Sequence, residues 1–183
     1  MEGAKGISAS KMRQAIVDFL TNFPFFASLN SEELDIVSGH IDFLEIDEGK
    51  TLFREGDKAD CVYFIVDGEL EVLKESVSGE KIGIDRVVIA TLSKGSSTGE
   101  MSMIENSPRS ATVRVRTKVV LVTLSQEGFS VILDQYPKIG IKILIGLAQL
   151  LSRNLRRTSG RLADYTLSSA KISQDFRQMK VST

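Results

Sequence analysis

The sequence predicts a mainly β domain, a small roll or barrel, with helices before it and one long helix after it. Three observations carry that expectation. From Ile41 to Leu124 the chain is a succession of short strand-like runs rich in apolar residues, several of them with the two-residue alternation of half-buried strands. Turn signals separate these runs at Asp47-Glu48-Gly49, Glu55-Gly56-Asp57, Asp67-Gly68, Ser78-Gly79 and Lys94-Gly95. On either side of this region the apolar spacing changes to a helical one. Many short strands favour a barrel or roll because closure leaves no long sheet edge exposed.

Each element follows from local chemistry. Ser8 to Phe19 has Met12, Ile16 and Phe19 or Leu20 along one helical face, and Asn22-Phe23-Pro24 breaks that helix. Leu29-Asn30-Ser31-Glu32-Glu33-Leu34 supplies a polar cap followed by acids, which starts a helix running from Ser31 to about Gly39. Strands are expected near Ile41–Ile46, Thr51–Phe53, Val62–Val66, Glu69–Glu75, Ile82–Leu92, Ser110–Val115 and Val119–Leu124. A short helix covers Gln126 to Tyr136, and Pro137 suits the first turn of the next. That last helix is expected from Pro137 to Tyr165. Within it Leu144, Ala148, Leu151, Leu155, Thr158, Leu162 and Tyr165 follow a 4-3-4-3-4-3 spacing, the seam of a coiled coil. Before Leu151 the helix is apolar almost all round, so there it is expected to pack on its own domain and on a partner. Gly146 and Gly160 each cost ~1 kcal/mol relative to Ala, which points to a helix held by packing. The resulting organisation is a helical extension (1–25), a β-roll (26–136), a long helix (137–165) and a polar tail (166–183). In the tail Ile172, Phe176 and Met179 sit at helical spacing, which leaves a weak helix or no structure open.

The totals exclude several function classes. The 183 residues suit one domain with appendages. Charged residues make up 26% and the net charge is −1, so no overall field favours nucleic acid or an anionic membrane. No apolar run approaches the ~20 residues of a membrane span, and Met1 to Ser10 lacks a signal-peptide core; a cytoplasmic protein is expected. With one histidine, His40, and one cysteine, Cys61, the chain cannot build a Cys/His metal cluster. A Ser-His-Asp relay would have to use His40, which has no nucleophile motif nearby. His40 reads as a helix-end or surface residue and Cys61 as a small buried apolar one. The chain is not expected to be an enzyme.

One stretch stands apart: Gly99-Glu100-Met101-Ser102-Met103-Ile104-Glu105-Asn106-Ser107-Pro108-Arg109-Ser110-Ala111-Thr112-Val113. A helix starting near Glu100 would aim the amides of Met101 and Ser102 into the turn, and free amides at a helix start favour an anion. Arg109 offers a planar fork of donors suited to phosphate oxygens, and Ser110 adds a hydroxyl. Glu100 only accepts hydrogen bonds, so it repels phosphate and suits a sugar hydroxyl. Together they describe a site for a sugar phosphate. Two exposed, solvated charges are the plain alternative, and spacing alone does not decide between them.

The same stretch resembles the phosphate-binding cassette of cyclic-nucleotide-binding domains, the family of cyclic-AMP-dependent kinase regulatory subunits, gated channels and bacterial catabolite activators. The resemblance extends to the opening helix around Phe26 to Leu34, the hairpin Glu48 to Asp57 and the strand–glycine–strand pattern Tyr63 to Val72. It covers about Phe26 to Tyr165 in the same order. It implies a jelly-roll (double-stranded β-helix) fold in which Glu100 takes the ribose 2′-hydroxyl and Arg109 the cyclic phosphate. The amides of Met101, Ser102, Ser110 and Ala111 would assist, and Gly99 would permit close backbone approach. Val87, Ile89, Met101 and Val113 are candidates around the sugar and base, or plain core.

The resemblance leaves two bases open. A Thr after the cassette arginine is common in cyclic-GMP binders and Ala in cyclic-AMP binders; here Ser110 is ambiguous. Thr158-Ser159 stands where catabolite activators carry a Thr-Ser pair that reaches adenine from both subunits, which implies cyclic AMP and a parallel homodimer through the long helix, with cyclic GMP as the alternative. Thr98 and Ser96 depart from the family's usual aromatic residue and Asp. The tail of about eighteen polar residues is too short for the helix-turn-helix of catabolite activators, so a stand-alone sensor acting on a dimer partner or an effector protein is expected, without direct DNA binding. The rival expectation is a domain of this fold that binds no nucleotide and serves as an interaction module.

Overall fold

The computed structural model describes residues 9–21, 23–76, 85–105 and 107–181. Helix α1 spans Ala9–Thr21 and buries Ile16 and Leu20, the spacing read from the sequence. Helix α2 spans Ser31–Ser38 and begins with a capping box: the Asn30 side chain accepts from the Glu33 amide, and Glu33 accepts from the Asn30 amide. His40 follows this helix, its amide bonded to the Val37 carbonyl at 2.9 Å.

Six strands form one antiparallel sheet: β1 (Ile41–Ile46), β2 (Thr51–Phe53), β3 (Cys61–Ser76), β4 (Asp85–Ser93), β5 (Ser97–Thr98) and β6 (Thr112–Ser125). The sheet order is β1-β6-β3-β4, with β2 also paired to β6 and β5 to β3. The sequence splits β3 at Asp67-Gly68 and β6 at Arg116-Thr117-Lys118. In the structure both run on, and the β3–β6 register shifts at Asp67, Glu69 and Leu70. The Asp67-Gly68 signal therefore marks irregular pairing within a strand, where bending and added twist replace a reversal. The expected strand start at Ile82 and the Ser78-Gly79 turn lie outside the described residues.

The long strands divide their side chains between two cores. Val62, Phe64, Val122 and Leu124 face the helices, packing with Leu20, Phe23, Phe25, Phe26, Ile132, Ile143 and Leu147. Ile65, Leu70, Val113, Val115, Val119 and Leu121 join Phe53 and Leu92 inside the roll. Phe64 is fully buried, with the rings of Phe23, Phe25 and Phe26 centred 4.9, 5.0 and 5.2 Å away. Offset and edge-on aromatic pairs of this kind add to burial itself, and they pin the turn after α1 to the sheet.

Helix α3 spans Gln126–Gln135, capped by the Ser125 hydroxyl, which accepts from the Gly128 amide. Helix α4 spans Pro137–Val181, forty-five residues, so the helix continues past Tyr165 and the tail after 165 is helical in backbone up to Val181. Ile139, Ile143 and Leu147 are buried against the domain, whereas Ile141, Leu144 and Ile145 are exposed. The early part of α4 thus has two apolar faces, one docked and one open. Gly146 explains itself here: a Cβ at that position would lie 2.0 Å from the Phe25 carbonyl oxygen. Among the described residues no helix is long and apolar enough to cross a membrane.

A charged clamp fixes the start of α4 to α2. Lys142 Nζ donates to both carboxylate oxygens of Glu33 at 2.7 Å. The Lys142 hydrogen bond, then the Asn30 amide, hold the Glu33 carboxyl below its ordinary value of 4.5. A depressed carboxylate stabilises the fold above that value and loses the contribution as pH falls through its folded-state value. Lys142→Met is therefore expected to cost less than ~1 kcal/mol at neutral pH, the scale of a partly exposed pair. Urea melts of the variant and the parent should converge as the pH is lowered through the folded-state value of Glu33.

Candidate functional site

Gly99 to Met101 and Ser107 to Ala111 line one cavity. Gly99 has φ +81° and precedes a four-residue 3-10 helix, Glu100–Met103, which starts where the sequence places a helix start. A Cβ at residue 99 would stand 2.3 Å from Nη1 of Arg109, so glycine is required by backbone conformation and by the approach of the guanidinium. Thr98, where the family resemblance leads one to expect an aromatic residue, is buried in β5 and paired with Tyr63.

Arg109 is 5% exposed. Its guanidinium lies over the Phe53 ring at 4.3 Å and near Tyr63 at 5.4 Å from the ring centres, a favourable placement of a cation on aromatic faces. Its polar contacts are long: Nη1 to the Gly99 carbonyl at 3.4 Å, Nη2 to Cys61 Sγ at 3.7 Å, and Nη2 to the exposed Asp60 carboxylate at 3.7 Å. Nε is buried with no hydrogen-bond partner. A planar cation with five donors is thus held by ring stacking and left short of good acceptors, the condition in which an oxyanion binds well. Cys61 is half-buried beside this arginine, a neighbour the sequence does not reveal; burial pushes its thiol above the ordinary value.

Glu100 is 9% exposed and lines the same cavity as Arg109, about 340 Å³ in volume. Burial pushes its carboxyl up, while its own backbone amide, the Asn154 amide and the guanidiniums of Arg157 and Arg109 pull it back. Asn154 Nδ2 of α4 donates to Glu100 Oε1 at 2.8 Å.

The cavity brings together most of the residues singled out in the sequence. Gly99, Glu100, Met101, Arg109, Ser110, Ala111 and Thr158 line it. Met101 is half-exposed, Ala111 is buried, and the Ser110 carbonyl accepts from Lys74 Nζ at 2.8 Å. Ser102 lies in the 3-10 helix. Thr158 is exposed, its hydroxyl bonded to the Asn154 carbonyl at 2.9 Å. Ser159 is exposed and does not line this cavity. Of the apolar candidates Met101 and Val113 line it; Val87 and Ile89 do not, and Val72, Ala90 and Leu92 stand there instead. The β3–β4 register shift between Val72 and Leu73 changes which residues of β4 face inward, and a run such as Val87-Val88-Ile89-Ala90 carries no alternation that would disclose it. Asn154, Arg157 and Ser97 line the cavity as well and escape the sequence reading. Asn154 had a signal: it continues the docked stripe Ile143, Leu147, Leu151 as a polar residue. Ser97, 7% exposed with its hydroxyl unpartnered, had none.

The profile of the cyclic nucleotide-binding domain family matches residues 43–136, just over half of the chain, from within β1 through β6 and α3. The chain belongs to the cyclic nucleotide-binding domain family. A cAMP-dependent protein kinase regulatory subunit from Yarrowia lipolytica is 31% identical over 124 residues, 67% of this chain and 31% of that protein. The chain spans about a third or less of the regulatory subunits it matches. The crystal structure of a cyclic nucleotide-binding domain from Methylobacillus flagellatus superposes with TM-score 0.71 at 30% identity, covering 84% of this chain and 83% of that one. The catabolite activator protein of Thermus thermophilus gives 0.63 at 26% identity, covering 76% and 61%. The jelly-roll architecture expected from the sequence is thereby the fold of the cyclic nucleotide-binding domain.

Proposed function

We propose that this cyclic nucleotide-binding domain is a sensor for a cyclic nucleotide, cyclic AMP before cyclic GMP, and has no catalytic role. The observation that carries the reading is Arg109: a buried, ring-stacked guanidinium with an unpartnered Nε, lining one cavity with the acceptor-only Glu100. The cyclic phosphate suits the former and the ribose 2′-hydroxyl the latter. Thr158 at the cavity wall supports an adenine contact from α4. A Toxoplasma gondii regulatory domain solved with cAMP, 25% identical with TM-score 0.59 over 69% of this chain, supports the same base.

The output of this sensor is a shift of α4, passed to a second copy of the chain or to an effector protein. Leu144, Leu155 and Leu162 of the coiled-coil seam are exposed, at 39%, 68% and 66%, and a second α4 would cover them. Ligand moves the helix only if its affinity differs between the two helix positions. The second reading, an interaction module without ligand, draws on β4, the end strand of the sheet order, where Val87, Val88 and Ile89 are about half-exposed.

The test is calorimetric titration of unfolded and refolded protein, which removes any ligand that co-purifies, with cyclic AMP and then cyclic GMP. Saturable binding, tighter for cyclic AMP, is expected. Absence of heat and of any melting shift with both would leave the interaction module.

A further inference from the structure

The two poles of the cavity are wired differently to the rest of the molecule. The described partners of Arg109 are Phe53, Asp60, Cys61, Tyr63 and Gly99; all belong to the roll. Glu100 instead accepts from Asn154 of α4 at 2.8 Å. A hydrogen bond to a buried carboxylate is among the stronger contacts available to a neutral side chain.

Asn154 also sits where α4 changes character. Before it Ile143 and Leu147 are buried and Leu151 half-buried against the domain; after it Leu155 and Leu162 are two-thirds exposed. Asn154 lines both the main cavity and a neighbouring one of about 200 Å³, the two sharing Leu92, Ser97, Asn154 and Arg157.

We infer that Asn154 is a positioning residue that couples the hydroxyl of the ligand, and not its phosphate, to α4: a hydroxyl donating to Glu100 takes the place of the Asn154 amide and releases the helix beyond Leu151. This rests on the reading of Glu100 as the hydroxyl acceptor. The rival route from the phosphate to α4 would run through Arg157, which lines the same cavity and whose guanidinium acts on Glu100.

The experiment compares cyclic AMP with 2′-deoxy cyclic AMP on the full chain, by calorimetry and by hydrogen exchange of the amides of residues 151–162 at saturating ligand. Cyclic AMP is expected to change that exchange. The deoxy analogue, lacking one hydrogen bond to a charged acceptor, should bind about tenfold or more weaker and leave the exchange unchanged. Asn154→Ala removes the competing donor, so it should bind cyclic AMP about tenfold tighter, with the bound exchange pattern present before ligand is added. Asn154→Asp, which sets a carboxylate against Glu100, should also release α4 without ligand. Weaker binding of cyclic AMP by Asn154→Ala would overturn the inference. So would an α4 response to the deoxy analogue equal to that with cyclic AMP, and loss of such a response in Arg157→Gln would identify the phosphate route. Failure of the unaltered protein to bind either nucleotide would overturn both this inference and the sensor reading.

Discussion

Arg109→Met is expected to abolish cyclic-nucleotide binding while leaving the stability of the domain within about 1 kcal/mol of the parent. Methionine keeps a flexible, polarisable chain against Phe53 and Tyr63, so the walls of the site do not collapse. Three quantities then compete. The stacked cation is lost, worth about 2 kcal/mol when desolvated. The burial of a charge whose acceptors stand at 3.4 to 3.7 Å is relieved, a penalty of several kcal/mol. The weak contacts to Gly99, Cys61 and Asp60 vanish at little cost. Stability is nearly balanced, but binding is not: a phosphate held by two charge-assisted hydrogen bonds loses ~3 kcal/mol or more, over a hundredfold in affinity. Calorimetry and urea melts on the same preparation separate the two effects. Unchanged affinity would place the anion elsewhere, and a large loss of stability would make Arg109 a structural residue.

Two glycines on one helix are expected to respond to the same substitution with opposite signs. Gly146→Ala should destabilise the domain by about 2–3 kcal/mol. Its Cβ would meet the Phe25 carbonyl oxygen at 2.0 Å, a backbone atom that cannot swing aside. The helix must retreat, and Ile143 and Leu147, at 0% and 1% exposure, lose their contacts with it. The gain of ~1 kcal/mol in helix propensity does not offset this. Gly160 has nothing within 4 Å of its Cβ position, so Gly160→Ala keeps the propensity gain and should stabilise by about 0.5–1 kcal/mol. Thermal melts of the two variants decide the matter; equal signs would mean that α4 is not docked against Phe25.

The elements that the sequence discloses are those whose local chemistry and tertiary role agree. Asn30 and Glu33 form a complete capping box, and α2 begins where they place it. Pro137 opens α4. Val62 and Phe64 alternate with Ile65 and Leu70 between two cores, which is why β3 is visible as apolar runs. What stays hidden depends on partners distant in sequence. Asp67-Gly68 has the composition of a hairpin turn, yet the strand continues because β6 pairs with it on both sides of the irregularity. The two charges of the site were visible through the motif around Gly99 to Arg109, but their environments were not. Stacking of Arg109 on Phe53 and Tyr63, and the tie of Glu100 to Asn154 fifty-four positions away, exist only once the roll has closed and α4 has docked.

Under the proposed coupling, the length of α4 would give the site mechanical leverage. From Asn154 to Val181 the helix runs on for 27 residues, about 40 Å at 1.5 Å per residue. If the shaft pivots near Asn154, a tilt of about 10° sweeps its far end through about 7 Å. The fulcrum then lies one hydrogen bond from Glu100, and a local exchange of donors on one carboxylate becomes a displacement larger than a helical turn at the opposite end.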